Sequence, residues 1–311
     1  MLVTSTAQLS FVYNFPMAAS PFFPKLPLSW NESSIFSSDK SLHIRLFSKP
    51  AATSGRVLIL IHGQAEQSDR YQHFPHYLDG TISAIFAVDL PGHGLSKGTR
   101  GHIESFSDYY KACDFVLAEA QKWNSERNNA FALHWFGHSL GGLISLGYAL
   151  DHSNLPVKSF AVSAPLLALA FPVPLIKKTL AVWTEPFLGR VPLDNELKAP
   201  DVSRDESVAT EYSANKLNHR FATPRFFVRL QDEMARVREH PGPINYHFFG
   251  LTPVADKIVS PSAGLQFFNR IKVTNAHKKV IAQMPGFYHE SFNDLGKERA
   301  FNALNDFLCS I

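Results

Sequence analysis

Cysteine is nearly missing: the 311 residues hold two, Cys113 and Cys309. Two thiols cannot build the disulfide framework of a small secreted domain, and a reducing compartment is the simpler setting for them. No stretch of about 18 consecutive apolar residues occurs, which argues against a membrane-spanning helix. An excess of one charge is lacking too. The 30 Lys plus Arg nearly balance 27 Asp plus Glu, and a net charge of +3 does not describe a nucleic-acid binder. No Lys or Arg precedes Lys25, so a secretory signal would lack its positive start. Met17-Ala18-Ala19-Ser20 has only a loose likeness to a cleavage site. Residues 1–30 are expected to be a poorly constrained arm. A cytoplasmic chain, at most peripheral to a membrane, is the expectation.

Apolar material is plentiful. A hydrophobic fraction of 45% against 18% charged excludes intrinsic disorder and supplies a core. Residues 56–61 (R-V-L-I-L-I) form a continuous apolar run, the pattern of a strand buried on both faces. An alternating, half-buried strand is predicted at 42–47, and further apolar strands at 82–88, 131–136 and 157–162. Helices are predicted at 70–78, 106–123 and 143–150. Strands and helices alternate, with turn clusters at the strand ends, which implies a parallel sheet covered on both faces.

That rhythm breaks at Pro165. Residues 165–243 contain no convincing buried strand, and helical spacing appears at 203–216 and 224–239. Alternation returns with a strand at 245–249, a helix at 261–270, a strand at 279–283 and a last helix at 290–308. The expected organisation is therefore an α/β core over residues 31–164 and 244–311, interrupted by a helical cap over 165–243.

The chemistry centres on Gly137-His138-Ser139-Leu140-Gly141, between a buried strand and a helix. A serine hydroxyl is a weak nucleophile until a base takes its proton. A sharp strand-to-helix turn lifts the side chain clear, and the flanking glycines relieve the crowding of that turn. Base and acid should follow in the order Ser, Asp or Glu, His. Of the later histidines only His289 lies after a late strand and before the last helix. Asp256 follows the preceding strand and is the expected acid, with Glu290 and Asp294 as weaker rivals. Two backbone donors should meet the oxyanion: the N–H of Leu140 and that of Gln64, after the His62-Gly63 strand end.

Together these pieces resemble α/β-hydrolases of the monoacylglycerol lipase and lysophospholipase group. The matching stretches are the run from His62 to Tyr71 (H-G-x-x-E-x-x-x-R-Y), Asp89 to Ser96 (D-x-x-G-H-G-x-S), Gly101-His102, the elbow at Gly137 to Gly142, Ala255-Asp256 and Tyr288-His289-Glu290. They cover about residues 40–309. The elbow is shared by many esterases, peptidases and thioesterases; the first two runs are more specific. The resemblance implies a triad of Ser139, Asp256 and His289, oxyanion donors at Gln64 and Leu140, and a cap over an acyl-binding tunnel. There are two departures. Ala65 stands where the family usually has Gly or Ser, and the loop before Asp256, with Leu251 to Val254, looks longer than usual.

The cap composition agrees with that picture. Leu167, Phe171, Leu175 and Trp183 are the residues expected to meet substrate, and Lys177 with Lys178 could touch an anionic membrane surface. A small lipid substrate is the expected partner, with no nucleic acid, and no cofactor or metal is implied. His73 and His76 lack an accompanying cluster of ligands and are expected on the exposed face of the first helix. A short-chain esterase, thioesterase or peptidase on the same fold is the alternative activity. A non-catalytic binding protein is a third.

Overall fold

The structure, a computed structural model, describes residues 11–13, 24–172 and 175–311, and of residues 11–13 and 175–178 the backbone alone. The chain first lays down strands β1 (Phe11–Tyr13), β2 (Asn31–Phe36), β3 (His43–Ser48), β4 (Gly55–Ile61), β5 (Ala84–Asp89), β6 (Phe131–His138) and β7 (Ser159–Ser163). Two short strands, β8 (Leu193–Asp194) and β9 (Phe221–Ala222), pair only with each other. Then β10 (His247–Pro253) and β11 (Lys279–Met284) return to the main sheet. Its order is β1-β2-β3-β5-β4-β6-β7-β10-β11. From β5 to β11 every neighbouring pair is parallel, while β1, β2 and β3 add an antiparallel edge.

Among the described residues eight helices accompany the sheet: α1 (Phe74–Leu78), α2 (Ser107–Ser125), α3 (Leu140–Asp151), α4 (Leu175–Leu188), α5 (Glu206–Ala214), α6 (Pro224–Glu239), α7 (Pro261–Arg270) and α8 (Glu298–Cys309). The continuous apolar runs are buried on both faces because alternate residues enter different cores. Val57, Ile59 and Ile61 join Trp135 and Phe248 in one core, with residues of α2, α3 and α7. Leu58 and Leu60 join Phe136 and Phe249 in the other, with residues of α1 and α8. Each such side chain contributes roughly 1.5–3 kcal/mol by leaving water. Cys113 is buried and Cys309 exposed, and both are free thiols.

Between β7 and β10 none of the described residues adds a strand to the main sheet. The apolar stripe of α6, Phe226, Leu230, Met234 and Val237, is buried at helical spacing. Thr223 caps this helix, its hydroxyl accepting from the Phe226 N–H at 3.2 Å.

Several sequence expectations need correction. The helix expected at 70–78 divides into a 3-10 turn, Ser68–Tyr71, and α1. Pro75 has no N–H to continue a helix but suits the first turn of a new one. His73 is buried, one ring nitrogen facing the Phe292 carbonyl at 2.9 Å, and only His76 is exposed. The last helix begins at Glu298, not near 290. Residues 290–297 stay in turns because Glu290 and Asp294 bond elsewhere and Gly296 has φ +81°. The late strand runs on to Pro253, so Leu251 and Thr252 belong to β10 and not to a long loop. Gly250 does not end it: a Cβ there would come within 2.9 Å of three Phe268 ring atoms. Part of the arm is ordered, with Trp30 buried and its indole N–H donating to Asp79 at 2.5 Å. Met17-Ala18-Ala19-Ser20 lies outside the described residues.

Candidate active site

The turn from β6 into α3 passes through Ser139 at φ +54°, ψ −116°, a conformation L-residues rarely adopt. Neighbouring residues leave room only for glycine. A Cβ on Gly137 would lie 2.4 Å from the Gly141 carbonyl oxygen, and one on Gly141 would lie 2.2 Å from that of Ile61. Ser145 braces the turn from behind, its hydroxyl donating to the Gly141 carbonyl at 2.6 Å while accepting from the Trp135 indole at 2.9 Å.

The Ser139 hydroxyl stands 2.9 Å from Nε2 of His289, and Nδ1 of His289 stands 2.7 Å from Oδ2 of Asp256. A carboxylate can only accept, so Nδ1 carries the proton and Nε2 is left to accept from the serine. The other Asp256 oxygen accepts from the N–H groups of Ile258 and Val259 at 2.8 and 2.9 Å, which fixes the carboxylate in its loop. All three side chains are nearly buried. Burial opposes charge on His289, but Asp256, and behind it Glu290 and Glu66, outweigh burial and raise its pKa above 6.5. His138, packed on the His289 ring, is pushed down to about 3 by burial and then by His289 itself.

Neither rival acid reaches His289. Asp294 accepts from the Tyr288 N–H at 2.7 Å and pairs with Arg204 at 3.0 Å. Glu290 turns instead to Arg70, accepting at 2.5 and 2.8 Å.

Leu140 is the first residue of α3, so its N–H is one of the helix-start donors without an intrahelical partner. Gln64 follows β4 on the opposite wall. Its amide donates to the Phe221 carbonyl at 3.3 Å, and its side-chain oxygen lies 3.2 Å from Nε2 of His93. Ala65 beside it has φ +66°, the left-handed region that glycine occupies without cost. His62 organises the loop: its Nε2 accepts from the Leu90 N–H at 3.0 Å, and its Nδ1 lies 2.7 Å from the Gly63 carbonyl.

A cavity of about 570 Å³ opens over Ser139. Gln64, Glu66, His289 and Glu290 border its base, and its walls are mainly apolar, with Leu166, Leu169, Leu180, Phe226 and Leu230 among them. Of the four cap residues named from the sequence, Phe171 lines this cavity. Leu167 is buried in the core, and Trp183 is 77% exposed. The Leu175 side chain lies outside the described residues. Phe226, one of the insertion's aromatic rings expected from the sequence to meet an acyl chain, also lines the cavity; Leu230, on the same apolar stripe of α6, was not named from the sequence as a lining residue. Nor did sequence reasoning find the role of Arg70, whose guanidinium is fully buried among Glu66, Glu211 and Glu290. Its position in the H-G-x-x-E-x-x-x-R-Y run was the available signal. Among the described residues no helix is long and apolar enough to cross a membrane.

Comparison with known proteins adds to this geometry. The family described as serine aminopeptidase, S33, matches residues 52–296. A phospholipase of Bacillus subtilis is 24% identical over 81% of this chain and 94% of its own. An abhydrolase domain-containing protein of Dictyostelium discoideum is 27% identical over 86% of this chain, which spans 27% of that longer protein. The crystal structure of a monoacylglycerol lipase from Paleococcus ferrophilus superposes with a TM-score of 0.74 at 27% identity, covering 86% of this chain and 98% of that one. The observed fold is that of an α/β-hydrolase, as expected.

Proposed function

The chain belongs to the serine aminopeptidase S33 family, with lipases and phospholipases among its relatives, and on that premise we propose that it cleaves the carboxylic ester of a lipid with one acyl chain. The observation that carries this reading is the line Ser139–His289–Asp256 opening into an apolar cavity of about 570 Å³.

Ser139 Oγ attacks the ester carbonyl while Nε2 of His289 takes its proton. Asp256 holds the imidazole in the required tautomer and stabilises the imidazolium without taking the proton. The oxyanion is met by the N–H groups of Leu140 and Gln64. His289 then gives its proton to the departing alcohol, leaving the acyl chain on Ser139. Water enters, loses a proton to the same imidazole and releases the fatty acid. Residues 165–243 act as the cap, and the apolar side of the cavity receives the acyl chain.

Glu66, Asp194, Glu196 and Glu290 border the cavity, and among the described residues no lysine or arginine does. That balance favours a neutral glycerol leaving group, hence a monoacylglycerol, over a phosphate-bearing head. Trp183 and Phe187, 77% and 88% exposed on α4, give the cap an apolar outer face for transient contact with a lipid surface.

The test is fluorophosphonate labelling with a substrate panel of monoacylglycerols, lysophosphatidylcholine and short p-nitrophenyl esters. Labelling lost in Ser139→Ala, with turnover highest on long-chain monoacylglycerol, is expected. Activity confined to acetyl esters or aminoacyl amides would favour the esterase or peptidase alternative.

A further inference from the structure

The opposite end of the sheet carries a second, quite different cleft. Its volume is about 490 Å³, and Arg56, His134, Lys158 and His247 line it, with Ile311 at one side. It lies at the amino ends of the parallel strands. Ser139 is five positions further along β6 from His134, roughly 16 Å at strand spacing.

The register explains how these side chains converge. Ser159 of β7 sits between His134 of β6 and His247 of β10 as its partner on each side. Leu58 of β4 partners His134, and Arg56 shares the face of Leu58 two residues earlier. Arg56, His134, Ser159 and His247 therefore share one face of four adjacent strands, and Lys158 joins them at the approach to β7.

Each group has a free donor. His134 is 1% exposed; its Nδ1 lies 2.8 Å from the Ser159 hydroxyl, and its Nε2 has no partner among the described residues. Such a buried, unmatched ring nitrogen costs stability unless something fills the cleft. His247 accepts the Lys278 N–H on Nδ1 at 2.9 Å, which puts its own proton on Nε2. Arg56 and Lys158 form no ion pair among the described residues, and no acidic side chain lines the cleft. The His134 ring is held down to about 3 by burial, and next by Arg56, His247 and Lys158. Arg56 and Lys158 bring the positive charge, and no acidic side chain among the described residues faces them across the cleft.

We propose that this cleft binds a phosphate group from solution, inorganic phosphate or a small phosphomonoester, through Arg56 and Lys158 with the Nε2 protons of His134 and His247. The neutral tautomer of His134 suffices, since Ser159 can donate to Nδ1 while Nε2–H meets the anion. The site stands apart from the proposed hydrolytic centre and does not depend on that reading.

The experiment is an NMR titration of the full chain with inorganic phosphate at constant ionic strength, following the ring nitrogens of His134, His247 and His289. A saturable shift at His134 and His247, with His289 unmoved, is expected. Arg56→Gln and Lys158→Gln, both away from the core, should each weaken binding about tenfold, the loss of one charge-assisted contact. Glycerol phosphate should compete. The proposal fails if chloride at the same ionic strength reproduces the shifts, if neither variant changes them, or if they appear only with phosphatidate vesicles.

Discussion

Arg70 and Glu211 meet at 2.8 Å in the interior although 141 positions separate them in the chain. The same guanidinium reaches Glu66 at 2.9 Å and Glu290 at 2.5 Å. Glu66 accepts the Gly63 N–H at 2.5 Å and the Tyr71 hydroxyl at 2.8 Å, and Glu290 directly follows His289. One buried cation thus fastens the loop that presents Gln64, the turn that presents His289, and helix α5 between β7 and β10.

Removing that cation should be severe. Arg70→Leu would leave three carboxylates buried without a counter-charge, a loss of about 3–5 kcal/mol. Glu211→Gln keeps an acceptor for Arg70 and loosens only α5. It should raise KM severalfold with kcat less affected, whereas Arg70→Leu should lower the midpoint of urea unfolding. Equal effects of both on unfolding would argue against a role specific to α5.

The three residues in line at Ser139 should behave as a unit. Ser139→Ala should lower kcat by roughly 10⁶-fold and Asp256→Asn by roughly 10⁴-fold, and the double variant should be no worse than Ser139→Ala alone. Steady-state rates with circular dichroism on each variant would check this.

The pH dependence follows from His289. Its imidazole must be neutral to accept the serine proton, so kcat/KM should fall as pH drops through its pKa. That pKa is raised, so the half-point should lie above pH 6.5. Glu66 and Glu290 contribute to the rise, so Glu66→Gln should move the half-point down. A half-point below pH 6.5 in the wild type would contradict the electrostatics described.

The exposed face of α4 can be tested apart from the chemistry. Trp183→Ser and Phe187→Ser should each weaken association with lipid vesicles by roughly tenfold, since each removes an aromatic ring that would leave water. Hydrolysis of a soluble short ester should change little. Vesicle sedimentation measured beside ester turnover separates the two effects.

The parallel strands were legible because apolar runs such as Val57 to Ile61 are short, rich in β-branched residues and bounded by turn residues. The Ser139 elbow was legible because glycines stand two residues to either side of it, where the Gly141 and Ile61 carbonyls leave no room for a Cβ. What escaped depends on distant partners. The apolar spacing of Phe292 and Leu295 suggests a helix, but Leu295 is half exposed and the turns there are held by Arg70 and Arg204. His73 looks like a surface residue until the Phe292 carbonyl closes over it. The two-residue strands β8 and β9 carry no periodicity to detect.

The backbone at Ser139 has one more consequence. A residue with a side chain at φ +54° and ψ −116° raises the energy of the folded chain by about 1–3 kcal/mol. Glycine would relieve that, and it would also delete the hydroxyl. Selection for heat resistance alone, with no screen for turnover, would therefore favour Ser139→Gly and discard the hydroxyl proposed to attack the ester.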